Sequence, residues 1–148
     1  MASADIVFEF ERGGDGAELE WMPLAVRMKL DLAGLKLGLE DWQALTLETR
    51  RSLLAAPETG PGFVALLAGA LREAGRPAAQ GLAVDRLAAR KAWLEGGRQP
   101  AEVDATGGSS LKLAWDSLDR FDRFVLLHLA RKGRRREFGS AAGALGLL

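Results

Sequence analysis

One pattern led by tryptophan occurs twice in the chain, and it constrains the fold more than any other feature. Both copies read Trp-x-x-Leu-Thr/Asp-x-x-x-Arg-x-x-Leu-Leu without a gap. A Trp and a Leu three residues apart share one face of a short helix, and the Thr or Asp that follows can cap the next helix. Each copy therefore predicts a helical hairpin that buries one indole. The matched positions are Trp42, Leu45, Thr46 and Arg50 in the first copy and Trp115, Leu118, Asp119 and Arg123 in the second.

A helix-turn-helix of this kind also suggests a DNA-binding element. A recognition helix carries a row of polar side chains that read base edges. The second helix of each hairpin carries Leu or Phe instead, as at Phe121 and Phe124. We therefore interpret the hairpins as two pseudo-repeated scaffold modules rather than as a DNA reader.

The rest of the chain predicts a mainly α fold, a compact bundle of short helices in a single domain over residues 1–148. Pro23 and Gly34 bracket a helix whose apolar residues point both ways, which implies burial on two sides. The hairpins occupy 39–56 and 111–131. Further helices are predicted over 63–74 and, with Asp85 as the cap, over 86–94, and residues 96–110 are the loosest internal stretch.

The two ends are predicted to lie outside the helical core of residues 23–131. Ile6, Phe8 and Phe10 alternate with other residues, so residues 1–20 are interpreted as an N-terminal arm with a short strand. The tail 132–148 is basic and then rich in Gly, Ala and Leu, and we expect it to be flexible.

The residue types that most enzymes and metal sites use are nearly missing. The chain has no Cys, no Tyr and a single His, which removes disulfides, thiolate sites and most acid–base pairs. His128 falls on the same helix face as Phe124, so it is interpreted as a packed histidine. We expect no enzyme activity, and no catalytic, cofactor-binding or metal-binding residues.

Positive charge is concentrated near the C-terminus, although Lys and Arg together equal Asp and Glu at 20 each. The cluster consists of Arg131, Lys132, Arg134, Arg135 and Arg136. One interpretation is a solvated helix C-terminus, where cations complement the helix dipole. The other is a contact site for anions or nucleic acid, with binding that weakens as salt rises.

Location is predicted from two further patterns. No apolar run reaches the roughly 18 residues that a membrane-spanning helix needs. The first residues are acidic rather than basic, unlike a secretory signal. We therefore expect a cytoplasmic protein that does not bind membranes.

A long stretch of the sequence resembles the bacterial nitrate reductase-associated protein family. It runs over residues 22–45, MPLAVRMKLDLAGLKLGLEDWQAL, with the Val-Arg-x-Lys-Leu-Asp and Trp-x-x-Leu motifs of that family. Phe8-Glu-Phe10, Val84-Asp85, Ala92-Trp93 and the Trp115 hairpin follow in the family's order. The resemblance covers most of the chain, densely over 22–45 and 111–131.

This resemblance implies an accessory role in nitrate assimilation. Such proteins are associated with assimilatory nitrate reductase, which carries molybdopterin and an iron–sulfur cluster, and are thought to support the making of active enzyme. Members often have a Cys just before the Pro-led segment. Trp21 takes its place here, so a thiol-based role is not carried over to this chain.

The function expected from the sequence is thus a chaperone-like assembly factor that works through protein–protein binding. The expected partner is nitrate reductase or its cofactor-insertion machinery, with no cofactor held by the chain itself. The alternative is a small nucleic-acid-binding or regulatory protein that uses the basic cluster. The residues expected to bind the partner are Arg27, Lys29 and Asp31 together with Phe8 and Phe10 of the arm, which could add to a sheet edge of the client.

Overall fold

A computed structural model describes residues 6–12 and 18–148 of the chain. It confirms the mainly α prediction, because helices dominate and the sheet of the described residues has two short strands. The chain divides into two compact units, the first ending at Leu87 and the second beginning at Ala88. That residues 1–148 form a single domain stays a prediction, and each unit is described by itself.

Helix α1, Leu24–Ala33, is the central helix of the first unit, and it starts and ends as predicted. Pro23 is the extended residue before it, and Gly34 ends it in the left-handed conformation at φ 71°. That conformation favours glycine, and it lets the Gly34 N–H bond to the carbonyl of Asp31 at 3.0 Å. Residues on both sides of the helix are buried, as the two-sided apolar pattern predicts: Leu24, Ala25, Val26, Met28, Lys29 and Leu30.

The other elements of the first unit surround α1. They are β1 (Leu35–Lys36), α2 (Leu39–Gln43), α3 (Leu47–Ala55), α4 (Gly62–Glu73), β2 (Gln80–Gly81) and the start of α5 (Val84–Ala89). The strands pair antiparallel, with Leu35 opposite Gly81. The largest buried side chain of the core is Trp42, and it packs with Val26, Leu53, Leu67, Leu71 and their neighbours.

The second unit is organised around α8, Arg120–Arg131, which is buried at nearly every position from Phe121 to Ala130. Before it come α6 (Lys91–Leu94), α7 (Ala101–Thr106) and 3-10 turns at Gly108–Ser110 and Trp115–Ser117. After it comes α9, Arg135–Ala144. Trp93 meets Phe124 edge to face, with ring centroids 5.0 Å apart. His128, one turn further along the same face of α8, stacks on Phe124 with ring centroids 5.8 Å apart, as its position on that face predicts.

The N-terminal strand prediction is wrong for the described residues. Glu9–Glu11 form a 3-10 turn instead. The reason is the Glu11 carboxylate, which accepts the N–H of Phe8 at 3.0 Å and the N–H of Leu24 at 2.5 Å. Leu24 opens α1, so Glu11 caps that helix from a distant part of the chain and folds the arm back. The rest of the predicted arm, residues 1–5 and 13–17, lies outside the described residues.

The predicted loose stretch 96–110 is also corrected. Helix α7 lies within it, and Val103 of that helix is fully buried. Gly108 approaches this helix so closely that a Cβ at residue 108 would lie 2.7 Å from the Val103 side chain. The predicted 86–94 helix is two helices, α5 and α6, and Asp85 lies inside α5 rather than before it. Residues Gln80–Gly81, which lie between the predicted helices, form β2.

The prediction of a flexible tail is wrong for the residues after Gly133, which form a packed helix. Helix α9 packs on α8 and buries Phe138, Ala141 and Ala142. Leu147 is buried as well, and its carbonyl accepts the N–H of Lys112 at 2.8 Å. Small Ala side chains at the buried positions let the two helices pack closely, while Gly139 and Gly143 face open space.

Across the described residues, no helix is both long enough and apolar enough to cross a membrane.

Replacing Phe138 with Ala tests the packing of α9. We expect the free energy of unfolding of the second unit to fall by about 3–5 kcal/mol, because the change leaves a cavity beside α8. Urea denaturation followed by tryptophan fluorescence measures the loss. Arg136→Ala, an exposed change in the same helix, is the control and should shift it by less than about 0.5 kcal/mol. Equal stability of Phe138→Ala and the native protein would contradict the packing described here.

Candidate functional site

The tryptophans of the repeated pattern form internal clusters, one in each unit. The indole N–H of Trp42 donates to the carbonyl of Leu19 at 2.8 Å, and that of Trp115 donates to the carbonyl of Ala92 at 3.2 Å. In both cases the acceptor precedes the tryptophan by 23 residues. A buried indole keeps its apolar faces in the core while its single donor is satisfied. Both tryptophans are therefore structural.

The arginine of each copy completes the same cluster. Arg50 donates to the carbonyls of Trp42 at 3.2 Å and Gln43 at 2.8 Å, at the end of α2. Arg123 donates to the carbonyls of Trp93 at 2.8 Å and Leu94 at 3.3 Å, at the end of α6. The last carbonyls of a helix have no partner inside it, and a guanidinium can satisfy several at once. These arginines are thus bound internally.

The two copies differ at the predicted helix cap. The Thr46 hydroxyl accepts the N–H of Thr49 at 3.2 Å, as predicted. Asp119 occupies the same position before α8 but makes no capping hydrogen bond with its side chain, so that prediction is wrong. The first helix of the hairpin is α2 in one unit and a 3-10 turn in the other. A pseudo-repeat as the unit of the fold stays a prediction.

Asp122 is an acidic side chain enclosed by the second unit. Burial, together with the smaller effect of the nearby Asp119 carboxylate, raises its pKa to about 6, against the attraction of Arg123. Asp122 lies in the first turn of α8, where the helix dipole favours a negative charge. Loss of hydration outweighs that contribution at this position.

Two of the residues predicted to bind a partner are inside the first unit. Lys29 is 1% exposed, and its ammonium donates to the carbonyls of Leu53, at 3.4 Å, and Leu54 near the end of α3. The negative end of the helix and its unpaired carbonyls give a buried cation its partners. Lys29 therefore stabilises the core and is not a surface residue, which corrects the prediction.

Phe8 is the second of these residues. It is 4% exposed, and its ring stacks on Phe10 with centroids 5.4 Å apart. Since Glu9–Glu11 form a 3-10 turn, the described part of the arm offers no extended edge for pairing with a client strand. Phe10, the other aromatic residue predicted to bind a partner, is half-buried.

Arg27 and Asp31 keep a place on the surface of the first unit. They lie one helical turn apart on α1, with Arg27 exposed and Asp31 half-buried. Just before this helix, Trp21 is 48% exposed, while its neighbours Met22 and Pro23 are buried. The sequence indicates only that Trp21 stands where other family members often have a cysteine. An exposed tryptophan is typical of protein interfaces.

The basic cluster does not form one free cationic surface. Arg131 pairs with Glu102 at 3.4 Å and Arg134 with Glu137 at 3.3 Å. Arg135 donates to the carbonyl of Ala105 at 2.8 Å, near the end of α7. The cluster also spans two helix ends, since Arg131 ends α8 and Lys132 follows it, whereas Arg134–Arg136 lie at the start of α9. The helix C-terminus interpretation therefore fits only its first two residues.

An apolar groove in the first unit escaped the sequence analysis. Its volume is 340 Å³, and we call it the α4 groove. Its lining is Leu35, Val64, Leu67, Ala68, Leu71, Arg72, Arg76, Ala78 and Ala79. The signal for it in the sequence was the composition of α4, which is apolar around its whole circumference from Phe63 to Leu71.

Metal binding has no geometric support in the part of the chain that the structure describes. No group of three or more His, Asp or Glu side chains there is placed to hold a metal ion.

Comparison with known families gives one match. Residues 7–143 match the model of a family described as conserved nitrate reductase-associated protein. Comparisons with curated proteins and with solved structures found no match.

Replacing Asp122 with Asn tests the buried carboxyl. Its raised pKa means that the stability contributed by the protonated form is full below pH 3.8 and is lost as pH rises through about 6. Asparagine stays neutral, so we expect the variant to melt at a higher temperature than the native protein at pH 8, by roughly 5 °C. The difference should shrink towards pH 4. Thermal melts across that range measure it, with Asp116→Asn, an exposed change, as the control. A difference that is constant with pH would contradict the raised pKa.

Replacing Lys29 and Arg27 separately tests which of these α1 cations is structural. Lys29→Ala should lower the free energy of unfolding by about 2–3 kcal/mol, because carbonyls at the end of α3 lose their donor and a cavity opens. Arg27→Ala should change it by less than about 0.5 kcal/mol. Chemical denaturation of both variants gives the comparison. Equal losses would show that the burial of Lys29 does not matter.

Proposed function

The chain belongs to the conserved nitrate reductase-associated protein family, and from this we propose that it is a non-enzymatic accessory protein for nitrate reductase. Its proposed client is the assimilatory molybdenum enzyme, bound in the cytoplasm while the active form is made. The observation that carries the proposal is the family match, which extends over residues 7–143. The chemistry of the chain supports it, since a protein without cysteine and with one histidine has few groups for catalysis.

The internal clusters support a scaffold role. Arg50 and Arg123 each donate hydrogen bonds to carbonyls of other segments. Short helices are marginally stable alone, and these hydrogen bonds stabilise them within each unit. Lys29 does the same for the end of α3. A rigid scaffold presents a preformed surface, which lowers the entropy cost of binding a client.

The surface proposed for the client lies on the first unit. Trp21 supplies an exposed aromatic side chain, and Arg27 with Asp31 supplies charge on the neighbouring helix. An aromatic anchor beside charged residues is the usual composition of a binding hot spot and its rim. Lys29 and Phe8 are not part of this surface, because both are buried.

The nucleic-acid alternative has less support. Arg131 and Arg134 form ion pairs and Arg135 donates to a backbone carbonyl, which leaves Lys132, Arg135 and Arg136 as the exposed cations of the cluster without an ion pair among the described residues. With two of its five cations paired, the cluster gives a weaker, salt-sensitive contact with phosphates than five unpaired cations would. A salt titration of DNA and RNA binding by the native protein and by Arg136→Ala separates this alternative from the proposed function.

A deletion strain and a matched pair of variants test the proposal. Loss of the gene should reduce nitrate reductase activity at least about tenfold while the reductase polypeptide is still made. The purified protein should bind the reductase, and Trp21→Ala should weaken binding about tenfold, the effect of losing a hot-spot side chain. Titration calorimetry measures the affinity, and the molybdopterin content of the reductase from the deletion strain shows whether cofactor insertion is the step supported.

The control is Leu113→Ala. Leu113 is 49% exposed against 48% for Trp21, but it belongs to the second unit and is not part of the proposed surface. Its affinity for the reductase should equal that of the native protein. A deletion strain with fully active reductase would overturn the accessory role.

A further inference from the structure

Helix α4 lacks the polar outer face of an ordinary surface helix. It buries Phe63, Leu67, Ala70 and Leu71, yet Val64 is 41% exposed and Leu66 is 36% exposed. A helix at the surface of a monomer normally carries charged or polar residues on its outer side. On α4 such residues appear only at the end, with Arg72 and Glu73.

One face of α4 forms a wall of the α4 groove. Val64, Leu67, Ala68 and Leu71 follow the spacing that lines up side chains on one side of a helix. Leu35 of β1 and the Ala78-Ala79 segment before β2 form the opposite wall. Val64 and Ala68 are exposed, so the groove is open to solvent along α4. This shape suits a chain segment laid across it, because small-molecule sites enclose most of their ligand.

The charged residues of the groove lining are two arginines, Arg72 and Arg76. Gly75 ends α4 at φ 68°, and the N–H of Arg76 bonds to the carbonyl of Leu71 at 2.8 Å, which brings Arg76 beside Arg72 at the rim. Arg76 pairs with Asp41 at 2.7 Å and lies 3.7 Å from Glu40. Arg72 is exposed and, within the described ranges, has no ion pair. The charge that is left for a partner is therefore that of Arg72.

We infer that the α4 groove binds an acidic amphipathic segment of the partner protein. Apolar side chains one helical turn apart would enter between α4 and Ala78-Ala79, and a carboxylate next to them would pair with Arg72. This inference rests on the proposed function, because it assigns the groove to the same client. The positive rim selects an acidic segment over a basic one, since a like charge placed beside Arg72 is repelled.

Overlapping peptides that cover the cognate nitrate reductase and its maturation proteins test the inference. Each labelled peptide is titrated with the full-length protein, and fluorescence anisotropy gives the affinity. We expect the peptides that bind to carry apolar residues three or four apart beside Asp or Glu. Ala68→Glu should weaken them at least about tenfold, because it places a charge in the apolar wall. Ala65→Glu is the matched control: it is the same change, on the same helix, at an exposed residue outside the groove lining.

Arg72 provides a charge-swap test. Arg72→Glu should weaken the acidic peptides about tenfold, and replacing their acidic residue with Lys should restore most of the affinity to this variant. The inference is overturned if Ala68→Glu and Ala65→Glu bind equally, if the peptides that bind are basic, or if no peptide binds. Two further results would also overturn it. The first is that dodecanoate, an apolar carboxylate, binds with the same dependence on Ala68 while no peptide binds, which would indicate a small-molecule site. The second is that Ala68→Glu abolishes self-association of the protein, which would indicate that a second copy of the chain occupies the groove.

Failure of the groove and failure of the proposed function give different results. If the native protein binds intact reductase and Ala68→Glu binds it equally well, the groove inference is wrong and the accessory role stands. If acidic peptides of a maturation protein bind with the expected Ala68 and Arg72 dependence while the intact reductase does not bind, the groove inference stands. The proposal that the reductase is the client is then wrong.

Discussion

Capping of helix ends by side chains from distant parts of the chain is the interaction on which this structure depends. Most of its helices are short, and a short helix has unpaired carbonyls and amides over most of its length. Arg50, Arg123 and Lys29 donate to carbonyls near helix ends, while Glu11 accepts the amide that opens α1. The contacts of Arg123, Lys29 and Glu11 join segments that are distant in sequence, whereas Arg50 joins α3 to the preceding helix α2. The polar side chains thus make the tertiary structure as much as the apolar core does.

Charged side chains that form contacts within the molecule are less available to a partner at the surface. The basic cluster gives up three of its five cations to partners in the chain, and Lys29 is enclosed. Apolar residues are exposed as well, at Trp21 and along α4. Exposed apolar surface is costly in water unless a partner covers it. The proposed role, binding to a protein client, uses these apolar residues and agrees with the family of the chain.

The features predicted correctly from the sequence are those set by interactions between residues a few positions apart. Pro23 and Gly34 bracket α1 because their backbone preferences act within one or two residues, and Thr46 caps α3 because its hydroxyl reaches an amide three residues away. The Ile6–Glu11 alternation misled, because a strand needs a partner and Glu11 found a helix end instead. Composition misled for α9, where Phe138, Ala141 and Ala142 are buried although the segment is rich in Gly and Ala. The α4 groove was missed because its two walls come from separate segments.

The sequence by itself determined the helical class, most helix ends and the family, because periodicity, capping and residue order are all properties of a linear chain. Only the tertiary structure decided that Lys29 and Phe8 are internal, that the basic cluster is partly paired, and that α4 borders an open groove. Those outcomes depend on which carbonyls and carboxylates come within about 3 Å of a given side chain. The repeated tryptophan pattern shows both sides of this division. Its spacing predicted that each indole would be buried in a helical hairpin, but the carbonyls that Trp42, Trp115 and their arginines would meet belong to segments that only folding brings together.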